Sequence, residues 1–334
     1  MSPVTGPSKN KTKSVKKSSF LNRPTPAQPT LNVALAGLAF LTVTTHGGPL
    51  NRPAPPGPRF VFSVIASGLH RPTGIAIRDN KTLFFSEIPT PGINGANGGS
   101  NSVSRLDLRS SEITVLHSGE PEPVNLTVGR DQTLYWTCRT AGVVLEQNDD
   151  GETSVLLRGL TRPSGITVDR CENIYFTQIP TPGINGANGG FNSVNLAVGT
   201  NVVQLHSGEP EPTDIVVAKN GDLYWTCKTA GVILERSADD SQTRVLLNGL
   251  QKPVGIAVDS DAENLYFTEV PTPGINGASG GQNKIWQFNF KTATKTLVHS
   301  GDPEPTDIAV ARNGNLYWTC SSAGVIVEGR RRSY

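Results

Sequence analysis

The string Ile-Pro-Thr-Pro-Gly-Ile-Asn-Gly-Ala begins at Ile88, returns at Ile179, and returns again at Val270 with only its first residue changed. The spacing is 91 residues both times, marked by Pro89, Pro180 and Pro271. A second string, Leu-Tyr-Trp-Thr-Cys, occupies 134–138, 223–227 and 316–320. Self-similarity at a fixed period dictates architecture, because each copy is a unit that buries its apolar face only against its neighbours.

Each long repeat divides into two half-units with one grammar, which makes six in all. A tight turn ending in Pro leads into an apolar strand at 71–77, a polar turn leads to a second strand at 83–86, and two more strands follow. The other half-unit repeats these steps at 122–126, 134–138, 142–146 and 154–157. Four short antiparallel strands per unit make a β-propeller blade. Gly 35 and Pro 25 supply the turns, while a single Met and 6% aromatic residues leave little for long apolar helices. The expectation is an all-β chain, a six-bladed β-propeller of three tandem two-blade repeats.

The sixth unit stops at 325–328 without a fourth strand, while the end of 60–69 lines up with 155–160 and 245–250. The N-terminal strand is therefore expected to complete the last blade, which removes the open edge of the array.

Ahead of the propeller, residues 1–30 are rich in Lys, Ser, Thr and Pro and read as a disordered basic tail. No Asp or Glu precedes Asp79, so the net charge of +2 conceals a mildly acidic propeller. Residues 31–45 carry an apolar run shorter than the roughly 20 residues of a spanning helix, which reads as a signal or anchor segment. Residues 46–58 read as a Pro-rich linker, 59–329 as the propeller and 330–334 as a basic tail. The destination expected is the secretory pathway, extracellular or membrane-anchored through 31–45, with an organelle as the alternative. No basic face with interleaved aromatics occurs, so no nucleic-acid partner is expected.

The Leu-Tyr-Trp-Thr-Cys string, followed by Ala-Gly-Val and then by Gly-Leu-x-Arg-Pro-x-Gly-Ile, resembles the NHL and YWTD repeats of TolB-like propellers, the low-density lipoprotein receptor family among them. The resemblance covers residues 59–329 and implies the fold. It departs at Cys138, Cys227 and Cys320, which stand where the YWTD aspartate would, so the receptor's ligand is not carried over.

In such propellers the turns entering the innermost strands share one face with the loops between second and third strands, and loops on a rigid scaffold concentrate function. The residue before the turn Pro is Arg71, Arg162 or Lys252 in odd blades and Glu122, Glu211 or Glu304 in even blades. Charges are thus expected to alternate around the pore mouth. The bland reading pairs them between neighbouring blades; the sharper one clamps a polar ligand, glycan or peptide there. Two positions past the Pro stand Gly74, Gly165 and Gly255 in odd blades, but Asn125, Asp214 and Asp307 in even blades. No cofactor is expected, although those three oxygen-bearing side chains would suit calcium or magnesium. Glu87, Gln178 and Glu269 end the second strands of odd blades, as hydrogen-bonding groups beneath the long loops.

Cys138, Cys227 and Cys320 come from different blades and are too far apart for disulfides. Unpaired thiols count against secretion. His117, His206 and His299 are expected to cap turns, and Trp136, Trp225 and Trp318 to pack between blades. A binding or interaction protein is the favoured reading. The alternative is a hydrolase or lactonase similar to gluconolactonase and strictosidine-synthase-like propellers, although Thr73, Val124, Ser164, Thr213, Val254 and Thr306 stand where an acidic ligand would be needed.

Overall fold

The computed structural model describes residues 59–89, 101–180, 192–208, 210–271 and 283–332. The basic tail, the apolar segment, the linker and most of the three Pro-Thr-Pro-Gly loops lie outside the described residues. Six four-stranded antiparallel sheets form a ring, and no helix occurs among the described residues. Blade 1 runs inner to outer through Pro72–Arg78, Thr82–Glu87, Ser102–Asp107 and Ile113–Ser118. Blades 2 to 5 repeat this order, their inner strands being Pro123–Val128, Pro163–Val168, Pro212–Val217 and Pro253–Val258. Blade 6 contributes Pro305–Val310, Leu316–Cys320 and Val325–Arg331 from the C-terminal end and takes its outer strand, Phe60–Ala66, from the other.

That closure is a continuous ladder. Phe60 faces Arg331, Phe62 faces Gly329 and Val64 faces Val327, with a bulge before Ala66 meets Ile326. The last strand therefore extends beyond 329, and Arg330 and Arg331, read from sequence as the start of a basic tail, belong to the sheet. Phe62 packs at a tilt on His299, 4.2 Å between ring centroids, and edge-to-face on Trp318 at 5.9 Å. Gly329 makes the room, because a Cβ there would lie 3.2 Å from both the Phe62 and Trp318 rings.

Period-two alternation explains why Tyr and Trp sit side by side in the repeated string. Leu134, Trp136 and Cys138 pack with Ala76, Phe84 and Val103 of blade 1, whereas Tyr135 turns the other way to Ile166, Ile174 and Phe176 of blade 3. Trp225 and Trp318 face back in the same way, and Tyr224 and Tyr317 face forward. All three Trp side chains are fully buried, so they are the packing residues the pattern implied. The Thr of each string also faces forward. Its hydroxyl donates across the seam, from Thr137 to Ser164 O at 2.6 Å, Thr226 to Val254 O at 2.6 Å and Thr319 to Thr73 O at 2.7 Å.

Each accepting carbonyl belongs to the residue before a glycine, and those glycines set the width of the axis. A Cβ on Gly74, Gly165 or Gly255 would lie 2.8, 2.6 or 2.6 Å from the Cα of Asn125, Asp214 or Asp307. Only glycine lets the inner strands approach so closely. The even-blade side chains are thereby brought inward to one another.

Candidate functional site

All six residues before the turn prolines have left-handed backbone. Their φ values are 54° at Arg71, 59° at Glu122, 49° at Arg162, 58° at Glu211, 51° at Lys252 and 55° at Glu304. The reason is a hydrogen bond made six times. The carbonyl of each accepts the N–H of the residue that leaves the second strand: Ile88 to Arg71, Arg139 to Glu122, Ile179 to Arg162, Lys228 to Glu211, Val270 to Lys252 and Ser321 to Glu304. The conformation costs an L-residue roughly 1 kcal/mol and would suit glycine better. Charged side chains at all six positions therefore need a separate reason.

For the glutamates the reason lies within their own blade. Glu122 accepts from Arg139 Nη1 at 3.2 Å and from Thr140 Oγ1 at 2.6 Å. Glu211 takes the Thr229 hydroxyl with Lys228 Nζ at 3.9 Å, and Glu304 takes the Ser322 hydroxyl. Each ties down the Cys-x-x-Ala-Gly turn of its blade. The expected pairing of Arg or Lys with Glu between neighbouring blades is thus corrected: the partners come from the same blade. Arg71, Arg162 and Lys252 are exposed and make no ion pair among the described residues.

Arg139 and Lys228, which sequence reasoning missed, add to the cationic rim, while the third copy holds Ser321. Burial pulls the Arg139 guanidinium below its ordinary pKa, Glu122 opposes that, and the charge of nearby Arg162 adds to it. Cations therefore stand on blades 1 to 5 and are missing from this rim on blade 6. The signal was present in the string after each Cys, where Arg-Thr, Lys-Thr and Ser-Ser differ.

Glu87, Gln178 and Glu269 serve the turns. Their Oε1 atoms accept the backbone N–H of His70 at 2.6 Å, Thr161 at 2.6 Å and Gln251 at 2.7 Å. Glu269 Oε2 takes Trp286 Nε1 at 2.6 Å as well. These groups brace the entering turn. The even blades hold Pro121, Pro210 and Pro303 at the matching turn position, with no N–H to satisfy. A cysteine can then replace the acid.

Those cysteines are buried, and all four in the chain are free. Glu120 and Asp302, also missed, explain the surroundings of two of them. Glu120 Oε2 accepts from Trp136 Nε1 at 3.3 Å and Cys138 Sγ at 3.4 Å, and Oε1 lies 3.8 Å from His117 Nδ1. Asp302 accepts from Trp318 Nε1 at 2.6 Å and lies 3.1 Å from His299 Nε2. Burial and these neighbouring carboxylates push the Cys138 and Cys320 thiols far up, which leaves them unreactive.

At the axis, Asn125, Asp214 and Asp307 meet as the glycine pattern implied. Asn125 Nδ2 donates to Asp214 Oδ1 at 3.1 Å and to Asp307 Oδ2 at 3.3 Å. Asp214 also accepts from Ile215 N at 2.8 Å and Ile256 N at 2.9 Å, and Asp307 from Ile308 N at 2.7 Å and Ile75 N at 2.8 Å. Burial pushes both carboxyls well above the ordinary carboxylate range, and at Asp307 the Asp214 charge adds to it. Every carboxylate oxygen is thus engaged by an N–H donor. Burial, opposed by these N–H donors, therefore holds both carboxyls toward the neutral form.

No protein-family model matches the chain. The chain is similar to a low-density lipoprotein receptor-related protein 1 of Pyricularia oryzae, 26% identical over 275 residues, which is 72% of this chain and 84% of that protein. A gluconolactonase structure from Xanthomonas campestris matches with a TM-score of 0.64 at 15% identity, over 84% of this chain and 99% of that one. A streptogramin B lyase structure matches with a TM-score of 0.56 at 16% identity, over 82% and 98%. The structural likenesses show the fold, a six-bladed propeller, which is consistent with the NHL and YWTD resemblance.

Proposed function

We propose that the chain is a binding propeller that takes an acidic ligand, a carboxylated or sulfated glycan or an acidic peptide, at the mouth bearing the pre-proline turns. One observation carries this reading. Of six charged residues held in the same left-handed turn, Glu122, Glu211 and Glu304 are used by their own blades, while Arg71, Arg162 and Lys252 are left to solvent. Planar guanidinium forks suit carboxylate and sulfate. A site repeated three times suits binding better than catalysis. Delivery through 31–45 to an extracellular or membrane-anchored position belongs to this reading, and an organelle is its alternative.

The test is an array of acidic and neutral glycans and peptides probed with wild type and with the Arg71→Ala, Arg162→Ala, Lys252→Ala triple variant. Acidic members bind wild type and not the variant, with unchanged melting. Retained binding removes the mouth as the site.

A second reading, a hydrolase or lactonase, is favoured by the convergence of Asn125, Asp214 and Asp307 on the axis. It requires calcium or magnesium to enter among them in place of the Asn125 donor. Lactone hydrolysis dependent on either ion and lost in Asp214→Asn supports it; no turnover with either ion removes it.

A further inference from the structure

The inner strands cross from the mouth to the opposite face, where Arg78 ends the inner strand of blade 1. Pairing fixes the equivalent positions, because Ile77 faces Leu83 as Val128 faces Leu134 and Val310 faces Leu316. Arg78 therefore stands where blade 2 has Gly129 and blade 6 has Ala311. Carboxylates take the space beside Gly129, where a Cβ would collide with Glu172 Oε2 and lie 2.7 Å from Asp131 Oδ1, and a hollow remains at the rim beside Arg78. A cavity of about 140 Å³ occupies it, floored by Val128 and Val310 and edged by Arg78, Arg130 and Arg312. Asn80 and Gln132 also line it, as does Asp79, the carboxylate beside Arg312.

Three arginines from adjacent blades 6, 1 and 2 thus line one small space. Their local partners are weak or turned aside. Arg78 meets Asp149 at 3.2 Å and Arg312 meets Asp79 at 3.7 Å, and both carboxylates are largely exposed, at 70% and 48%. Such solvent-facing pairs contribute little and are displaceable. Asp131, next to Arg130, is occupied by Thr133 N at 3.0 Å and Thr133 Oγ1 at 2.9 Å. Glu172 approaches through the backbone N–H of Arg130 at 3.0 Å, which leaves the guanidinium without an ion pair among the described residues. Phe84 holds Arg78 in place, with the guanidinium carbon 5.3 Å from its ring centroid. Asn313 N donates to Asn80 Oδ1 at 3.2 Å and fastens blade 6 to blade 1 at the same rim.

We infer that this hollow is a second binding site, separate from the mouth, which takes a small multivalent oxyanion of the phosphate or polycarboxylate class across Arg78, Arg130 and Arg312. Bidentate arginine contacts give such anions both affinity and orientation, and amide groups from Asn80 and Gln132 are at hand for remaining oxygens. The volume suits a group the size of pyrophosphate.

Calorimetric titration at fixed ionic strength with inorganic pyrophosphate, and separately with citrate, tests this on the full chain. Wild type shows saturable one-to-one binding of at least one of them, which also distinguishes the two anion sources. Arg130→Gln and Arg312→Gln, both at exposed positions, each weaken it by about tenfold, and adding Arg78→Gln abolishes it. The mouth variant Arg71→Ala, Arg162→Ala, Lys252→Ala keeps it. Absence of saturable binding in wild type, or its survival in the folded triple glutamine variant, overturns the inference.

Discussion

Asp214 and Asp307 are joined across the propeller axis through one amide, the Asn125 Nδ2 lying 3.1 Å from the first and 3.3 Å from the second. Both are almost fully buried, at 4% exposure. Burial disfavours the charged form of both, and at Asp307 the charge of Asp214 adds to it.

A pH dependence follows with a definite sign. Burial raises both folded-state values, and Asp214 is pushed up to about 7. Their contribution to stability is complete below about pH 4, the unfolded value, and is lost as pH rises through about 7. Urea unfolding should show a loss from this source of up to about 1.4 kcal/mol per pH unit per proton between those limits. The Asp214→Asn, Asp307→Asn double variant should lose that slope. An equal slope in both proteins contradicts the upward shift of these carboxyls.

The same axis predicts the effect of metal. With every carboxylate oxygen already accepting an N–H, millimolar calcium or magnesium should leave the melting temperature unchanged. A chelator-reversible rise of several degrees would place a cation among Asn125, Asp214 and Asp307 and favour the hydrolase reading.

Gly165→Ala tests how closely the inner strands approach. Its new Cβ meets the Asp214 Cα at 2.6 Å, and backbone cannot turn away as a side chain can. A loss of about 2–3 kcal/mol is expected in chemical unfolding. A neutral result would mean that the inner strands stand farther apart than described.

At the turn braces, the chain has already made one experiment. Gln178 does for Thr161 what Glu269 does for Gln251. At the equivalent turn of blade 1, Glu87→Gln should therefore change unfolding free energy by less than about 0.5 kcal/mol, while Glu87→Ala leaves the His70 N–H without its acceptor and costs about 1–2 kcal/mol. Equal effects of the two substitutions would point to a role for the charge itself.

Ring closure has its own signature. Phe62→Ala removes a ring held by His299 and Trp318 and frees the N-terminal strand. A loss of about 3 kcal/mol is expected, with early proteolytic cleavage between 59 and 66. Unchanged protease resistance would argue that the ladder to Val325–Arg331 closes the ring without it.

The blades were legible because period-two patterning, turn prolines and a long-range repeat all point to one architecture. The missing strand of blade 6 gave away the closure. Charge pairing was not legible. Sequence places Arg71 and Glu122 in register around the mouth, but not the direction in which Glu122 turns, and that depends on Thr140 and Arg139 rising from the same blade. Glu87 and Glu269 looked like site residues because the requirement they meet belongs to a backbone N–H, and only the contrast with Pro121 and Pro303 discloses it. Asn125, Asp214 and Asp307 were placed at the axis by their spacing, yet their contact depends on the absent Cβ of Gly74, Gly165 and Gly255.

The division of the six turn charges into three that hold the scaffold and three that meet a ligand is tested most directly by measuring affinity and unfolding free energy together. For the best acidic ligand, Arg71→Ala, Arg162→Ala, Lys252→Ala should bind at least a hundredfold more weakly and unfold within about 0.5 kcal/mol of wild type. Unchanged affinity, or a stability loss large enough to account for the weakened binding, would contradict it.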